Sequence, residues 1–258
     1  MLTSQRKQAI LAALQRDGQV VAKAMSEVFG VSEDTVRRDL RELAAEGLLQ
    51  RVHGGALPAS PAMADFAHRQ QIGPEAKSAI ALRAAQMVLP GQVVFIDGGT
   101  TCVQLARSLP ATLRATVITH SPSIAVELVE HPGIEVVLVG GRLFKHSVVA
   151  VGAAAMEAIA RVRVDLYFMG VTGVHPTAGL STGDFEEASV KRALIERAAE
   201  VVVLASKEKL HAASPYVIAP VQAVQTLVVE GDTPEAVVAP FAALGLAVVR
   251  AGNAGIAA

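Results

Sequence analysis

Arg37, Arg38 and Arg41 follow Val36 by one, two and five positions. On a helix advancing about 100° per residue they gather on the face opposite an apolar stripe of Val36, Leu40 and Leu43. Guanidinium groups so placed can grip phosphates or reach the O6 and N7 edge of guanine. A second set has different chemistry. Asp97-Gly98-Gly99-Thr100-Thr101 follows the aliphatic run that starts at Val93. Two glycines let the backbone approach a ligand, and two hydroxyls plus the free N–H groups of a following helix suit a phosphate. Gly-Gly also serves any tight strand-to-helix turn, so the bare motif leaves both uses open.

The arginines need a framework, and the flanking residues supply one. Ser32 is the expected N-cap, Glu33 and Asp34 suit the positive end of the helix dipole, and Gly47 is a C-terminal stop. Upstream, Arg6 to Gln15 carries Ile10, Leu11 and Leu14 at helical spacing, and Ala22 to Phe29 offers Met25, Val28 and Phe29 to the same small core. Gly30 and Val31 form the turn into the third helix, the layout of a helix-turn-helix. Leu48 to Val52 reads as a strand that Gly54-Gly55 turns back into a wing, which places Arg51 and His53 against a duplex backbone or minor groove. Residues 1–56 hold eight Lys and Arg against seven acids. A module so nearly neutral is no general polyanion binder, and charge alone leaves a merely solvated arginine face open; the arrangement, not the charge, points to double-stranded DNA.

The whole chain has room for this module and a larger one, at 258 residues with net charge −1. Its hydrophobic fraction of 52% and mean hydropathy of +0.42 come from Ala and Val in short runs broken by Gly, Pro and charge. Ala212 to Val229 is the longest uncharged stretch, but Pro215, Pro220, Gln222 and Gln225 make it a poor membrane span. The polar, basic N-terminus lacks a secretory pattern, so a cytoplasmic protein without membrane contact is expected. Cys102 is the only cysteine, and the seven histidines are scattered. No disulfide, metal site or cofactor is expected, and Cys102 reads as a small, semi-buried residue near a helix start.

Residues 58–74 shift to Pro, Ala, Ser and Gln and read as a linker between a winged helix-turn-helix domain at 1–57 and a second domain at 75–252, with 253–258 as a frayed tail. Phe66 and Arg69 either dock that linker or merely decorate it. Glu75 to Leu89 reads as a helix. Six aliphatic runs then alternate with helical stretches, Val93 to Asp97, Ala115 to His120, Ile134 to Gly141, Val164 to Val171, Glu200 to Ser206 and Thr226 to Gly231, with Leu246 to Arg250 as a further edge strand. The expected class is α/β, a mostly parallel sheet with helical crossovers. Ligands bind such sheets beyond the carboxyl ends of strands.

The run TVRRDLRELAAEGLLQRVHGGA, Thr35 to Ala56, resembles the signature of the DeoR family of bacterial transcriptional regulators. Its T-[IV]-R-R-D-L core and R-x-H-G-G-A tail fall on Thr35, Arg37, Arg38, Arg51 and His53. The similarity continues downstream. It implies a second domain similar in fold to ribose-5-phosphate isomerase and CoA transferases, with Asp97, Gly98, Gly99, Thr100 and Thr101 holding the phosphate of a sugar phosphate. Thr119, His120, Ser121, Gly140 and Gly141, Arg142, and Gly170 to Gly173 are expected around the same rim. Gly179 to Ala198 resembles the family's G-x-[ST]-T-x-x-x-x-E-A-x-V-K-R block, placing Glu187 near sugar hydroxyls and Lys191 as an ordinary solvated helix residue. Phe66 and Arg69 match an F-x-x-R pattern ahead of that domain.

Two departures alter the ligand expectation. His120 stands where the family commonly has an amide, as a ligand contact or as a strand-end histidine satisfied by backbone; Ser206 replaces an aspartate, while Lys209 keeps the lysine position as a phosphate or carboxylate partner. The resulting expectation is a repressor of a carbohydrate operon that binds operator DNA through Ser32, Thr35, Arg37, Arg38, Arg41, Arg51 and His53, responds to a phosphorylated sugar, and acts as a dimer or tetramer, because one module reads only a half-site. Two alternatives stay open: a sugar-phosphate isomerase or transferase with Asp97 or Glu187 as general base, and a DNA-binding chain whose second domain only oligomerises.

Overall fold

The computed structural model describes residues 2–63 and 65–252; the tail expected at 253–258 lies outside the described residues. The N-terminal module runs α1 (Thr3–Asp17), β1 (Val20–Val21), α2 (Ala22–Phe29), α3 (Glu33–Ala45), β2 (Leu49–Val52) and β3 (Gly55–Pro58). Ile10, Leu14, Val36, Leu40 and Leu43 close its core, with Met25 and Phe29 packed against it; Val28, expected in that core, is instead 72% exposed, because it falls on the outer side of α2. The wing is a three-stranded antiparallel sheet in the order β1-β3-β2; the two-residue strand β1 was too short to leave a periodic signal.

A 3-10 turn (Pro61–Met63) and α4 (Phe66–Gln71) make up the connector. Beyond it come α5 (Pro74–Ala85), β4 (Val93–Ile96), α6 (Thr100–Ser108), β5 (Ala115–Thr119), α7 (Pro122–Leu128), β6 (Ile134–Leu138), β7 (Arg142–Phe144), β8 (Val149–Val151), α8 (Ala153–Ile159) and β9 (Val164–Gly170). The chain continues through β10 (Gly173–His175), β11 (Gly179–Thr182), α9 (Phe185–Ile195), β12 (Ala198–Leu204), a 3-10 turn (Lys207–Lys209), β13 (Tyr216–Ala219), β14 (Thr226–Val229), α10 (Glu235–Ala243) and β15 (Ala247–Arg250).

Seven strands form one sheet in the order β15-β14-β12-β9-β4-β5-β6, every pair parallel. Both faces are covered, which is why the strands read as unbroken aliphatic runs. Phe95, Tyr167, Met169, Val201 and Val203 point to one face under α8, α9 and α10. Their neighbours Val94, Ile96, Leu166, Phe168 and Val202 point to the other, under α5, α6 and α7. Strand order reverses at β4: β5 and β6 extend to one side, β9 and its successors to the other. That switch point opens a crevice at the carboxyl ends of β4 and β9. Two antiparallel pieces, the β7-β8 hairpin and the β10-β11-β13 sheet, wall the crevice and were not anticipated. Among the described residues no helix is long and apolar enough to cross a membrane.

Candidate functional site

The first candidate surface is the face of α3 and the wing. Ser32 caps α3, its Oγ accepting from the Thr35 N–H at 3.2 Å and lying 2.9 Å from Thr35 Oγ1, so both residues are spent in part on the helix start. Asp39, on the inner flank, takes a two-pronged bond from Arg6 of α1 at 2.7 and 3.1 Å and fixes the angle of α3. Lys7 occupies Glu42 and Glu46 at 3.0 and 3.1 Å. These pairings draw the helix's acids away from the arginine face. Arg37 lies 2.8 Å from Glu33 but remains exposed, as do Arg38, Arg41, Arg51 and His53. Arg37, Leu40, Arg51, His53 and Gly54 border one shallow groove between helix and wing.

The second lies at the switch point. Gly98 is required sterically, since a Cβ there would stand 2.0 Å from Val149 Cγ1 of β8, and Gly99 takes φ 108°, a backbone state that other residues rarely adopt. The turn therefore brings α6 in with its first N–H groups facing a narrow cleft. Gly98 to Cys102, Gly170 to Thr172, Ser147, Glu187, Lys191 and Lys209 line it, joined by Ala62, Arg69, Ile72 and Lys77 from the connector and α5.

Asp97 sits behind this lining, fully buried. Its Oδ1 accepts from the Gly98 N–H at 2.8 Å and faces His120 Nε2 at 2.7 Å. Its Oδ2 accepts from Tyr167 Oη at 3.2 Å, from the Gly170 N–H at 3.0 Å, and from Lys191 Nζ. Burial alone would raise this carboxyl, but the Lys191 ammonium and the His120 contact hold it well below the usual carboxylate range. A carboxylate so fully occupied is a poor general base. His120 Nδ1 lies 2.9 Å from the Ala150 carbonyl, so the ring is held between that carbonyl and Asp97. Burial lowers Lys191, yet Asp97 and Glu187 outweigh it and leave its pKa raised.

The cleft's other cations are differently placed. Lys209 is buried with no hydrogen-bond or ion-pair partner among the described residues, and burial pulls its pKa down to about 8 against the opposing pull of Glu208. Thr101 Oγ1, at the start of α6, is buried without a partner. Glu187 accepts from Ser147 Oγ at 3.2 Å and Thr182 Oγ1 at 3.4 Å. Cys102 is fully buried; burial and the nearby Asp97 push its thiol up to about 12, so it stays a protonated packing residue.

Two family models match the chain: the DeoR-like helix-turn-helix domain over residues 6–61 and the DeoR C terminal sensor domain over residues 73–231. The chain belongs to the DeoR family. It is a DNA-binding transcriptional regulator. Among its relatives is the HTH-type transcriptional regulator GlpR of Haloferax volcanii, 36% identical across 90% of this chain and 91% of that protein. The glycerol-3-phosphate regulon repressor of Escherichia coli K12 is 31% identical across 81% of this chain and 83% of that one. Ribose 5-phosphate isomerase A of Methanocaldococcus jannaschii is similar at a TM-score of 0.40 with 20% identity, covering 53% of this chain and 54% of that one.

For this family member the structure sorts the residues singled out in the sequence. It brings Gly98, Gly99, Thr100, Thr101, Glu187 and Lys209 to one cleft. Asp97 and His120 form the layer behind. Thr119 Oγ1 bonds the Ile96 carbonyl at 2.7 Å and Ser121 Oγ the Val148 carbonyl at 3.2 Å, so both brace the loops instead of lining the cleft. Gly140, Gly141 and Arg142 lie at the turn into β7, away from the lining, with Arg142 paired to Glu186. These rim expectations are corrected, and so is that for Lys191, which is not solvated but 3% exposed, because it shares the inward stripe of α9 with Glu187 and Leu194. That stripe was the available signal. Lys77, Ser147 and Tyr167 were missed, since nothing in their local sequence marks them.

Proposed function

We propose that this regulator is a repressor whose cleft binds a phosphorylated sugar or polyol, and that it acts as a homo-oligomer. The observation that carries the effector reading is the unspent donor set at the start of α6. Thr101 Oγ1 has no partner, the first N–H groups of α6 face the cleft, and Lys209, a residue only 7% exposed, forms no ion pair among the described residues, with Glu208 of the same lining acting on it only at longer range. A buried cation without a partner is costly, and a phosphate dianion would satisfy all three groups. Glu187, already held by two hydroxyls, stands ready to accept from sugar hydroxyls. Relatives named as repressors, one of a glycerol-3-phosphate regulon, support the same class of effector.

Self-association follows from the half-site reading of one helix-turn-helix. The surface that suits a second copy is the sheet edge: β6 is unpaired on its outer side, and Val126, Val129, Val137 and Leu138 are exposed there at 70, 70, 41 and 50%. An apolar edge strand of this kind invites pairing. Effector binding shifts operator affinity only through unequal affinity for the DNA-competent and incompetent arrangements. Calorimetry against a panel of sugar phosphates tests the proposal. Thr100→Val and Lys209→Ala should each lose the response while keeping operator binding. Isomerase turnover of pentose or hexose phosphates that vanishes in Glu187→Gln would instead favour an enzyme.

A further inference from the structure

The connector is not an idle tether. Residues 62–72 fall between the two family models, yet Ser60 and Ala62 are buried to 3% exposure. The Ala213 N–H donates to the Pro58 carbonyl at 3.3 Å, and Ala59 bridges to Ala213. The end of the wing strand β3 is thereby joined to the segment that leaves the Lys207–Lys209 turn. The 3-10 turn Pro61–Met63 packs on that same turn.

Arg69 of α4 reaches from this connector into the cleft wall. Its Nη2 donates to the His146 carbonyl at 3.2 Å and lies 3.4 Å from Ser147 Oγ. Its Nε–H is buried and has no partner, and it forms no ion pair among the described residues. Lys77 Nζ bonds the Arg69 carbonyl, so a second cation stands against the same backbone. Burial disfavours both charges. Glu187 and Glu208 share the lining and offset part of this charge, yet no carboxylate bonds the Arg69 fork among the described residues, and its buried Nε–H and the Thr101 hydroxyl stay unspent, donors that a bound anion would fill.

We infer that Arg69 is a ligand of the effector's anionic group, bridging it from the connector toward Lys209, and that this contact is the path by which occupancy reaches the DNA-binding module. The inference rests on the effector reading above and adds to it the residue that transmits. An anion held by Arg69 and Lys209 together ties α4 to the Lys207–Lys209 turn. Both flank the Pro58–Ala213 joint from which the wing departs. Without the anion, repulsion among Arg69, Lys77 and Lys209 loosens that joint.

The test uses the full chain with glycerol 3-phosphate and inorganic phosphate as probes, in wild type, Arg69→Gln, Arg69→Lys and Lys209→Ala. Calorimetry should show wild-type binding, weakened by about ten- to a hundredfold in Arg69→Gln and less in Arg69→Lys, which keeps the charge but loses the fork. Hydrogen exchange on unmutated protein should show slowed exchange across residues 58–74 when the probe is added, a readout that no folding defect of a variant can mimic. Binding lost in Lys209→Ala but unchanged in Arg69→Gln overturns this inference alone. Unaltered exchange in 58–74 at saturating probe overturns the transmission path. Binding of neither probe by wild type, or binding indifferent to Lys209→Ala, removes the effector site itself.

Discussion

Replacing Lys191 by methionine should destabilise the sensor domain by about 3 kcal/mol. The side chains of Lys191 and Asp97 are 3% and 0% exposed, so little solvent screens their attraction and Lys191→Met strands a buried carboxylate. Removing one partner of a buried pair costs about 3–5 kcal/mol. Asp97 keeps contacts with Gly98, His120, Tyr167 and Gly170, which places the loss at the lower end of that range. Urea unfolding followed by tyrosine fluorescence is the assay, because the chain has no tryptophan and both tyrosines, Tyr167 and Tyr216, belong to the sensor domain. The double variant Asp97→Asn/Lys191→Met should recover more than half of the loss, since no isolated charge remains. The sign with pH follows from the shifts. The folded pKa of Asp97 is depressed, so its contribution is present above the unfolded value of about 3.9 and is lost as pH falls through the folded value. The folded pKa of Lys191 is raised, so its contribution is present below about 10.4 and is lost as pH rises through the folded value. The deficit of Lys191→Met should thus stay flat from about pH 5 to 9 and shrink in acid. A single-variant loss under about 1 kcal/mol, or a double variant no better than the single, refutes the reasoning.

Gly98→Ala sets a Cβ 2.0 Å from Val149 Cγ1 and should cost about 1–3 kcal/mol by overpacking; an unchanged urea midpoint would mean that the β7-β8 hairpin gives way freely. On an operator selected by the wild type from random DNA, Arg38→Ala should lose about 1–3 kcal/mol and relax specificity at one position, while Arg51→Ala weakens cognate and random duplexes alike and lowers the salt slope by about 1. Equal binding by wild type and Arg37→Ala/Arg38→Ala would sink the α3 assignment. Because the pKa of the buried Lys209 lies at about 8, affinity for glycerol 3-phosphate should fall as pH rises past that value, with proton uptake on binding at about pH 9; calorimetry at two pH values checks it, and a flat profile removes Lys209 from the site. If the proposed oligomer forms through the β6 edge, Val126→Lys/Val129→Lys should lower the mass seen in light scattering to that of a monomer; a monomeric wild type would refute the self-association, and an oligomer unchanged in the variant would clear the β6 edge.

Sequence alone determined the N-terminal helices and the seven strands of the parallel sheet. The stripe of Val36, Leu40 and Leu43 and the Ser32 cap specify α3, because periodic burial and end-capping are satisfied within a few residues. Aliphatic runs between helical stretches specify a two-faced parallel sheet for the same reason. Asp97 to Thr101 was legible as a tight strand-to-helix turn, though Gly98's steric need arises from Val149, a residue of the unforeseen β8. Only the tertiary structure decided who meets whom. Asp97 and Lys191 are separated by 94 positions, as Arg6 and Asp39 are by 33, and each pair forms because helix and sheet packing brings two buried groups together that neither could justify singly. The connector shows it most plainly. Its composition marks a linker, while Arg69 becomes a wall of the cleft through the packing of α4 beside Ser147 and Lys77. Local preferences are written in neighbouring side chains, but pairings of buried charge depend on which distant surfaces the core compels into contact.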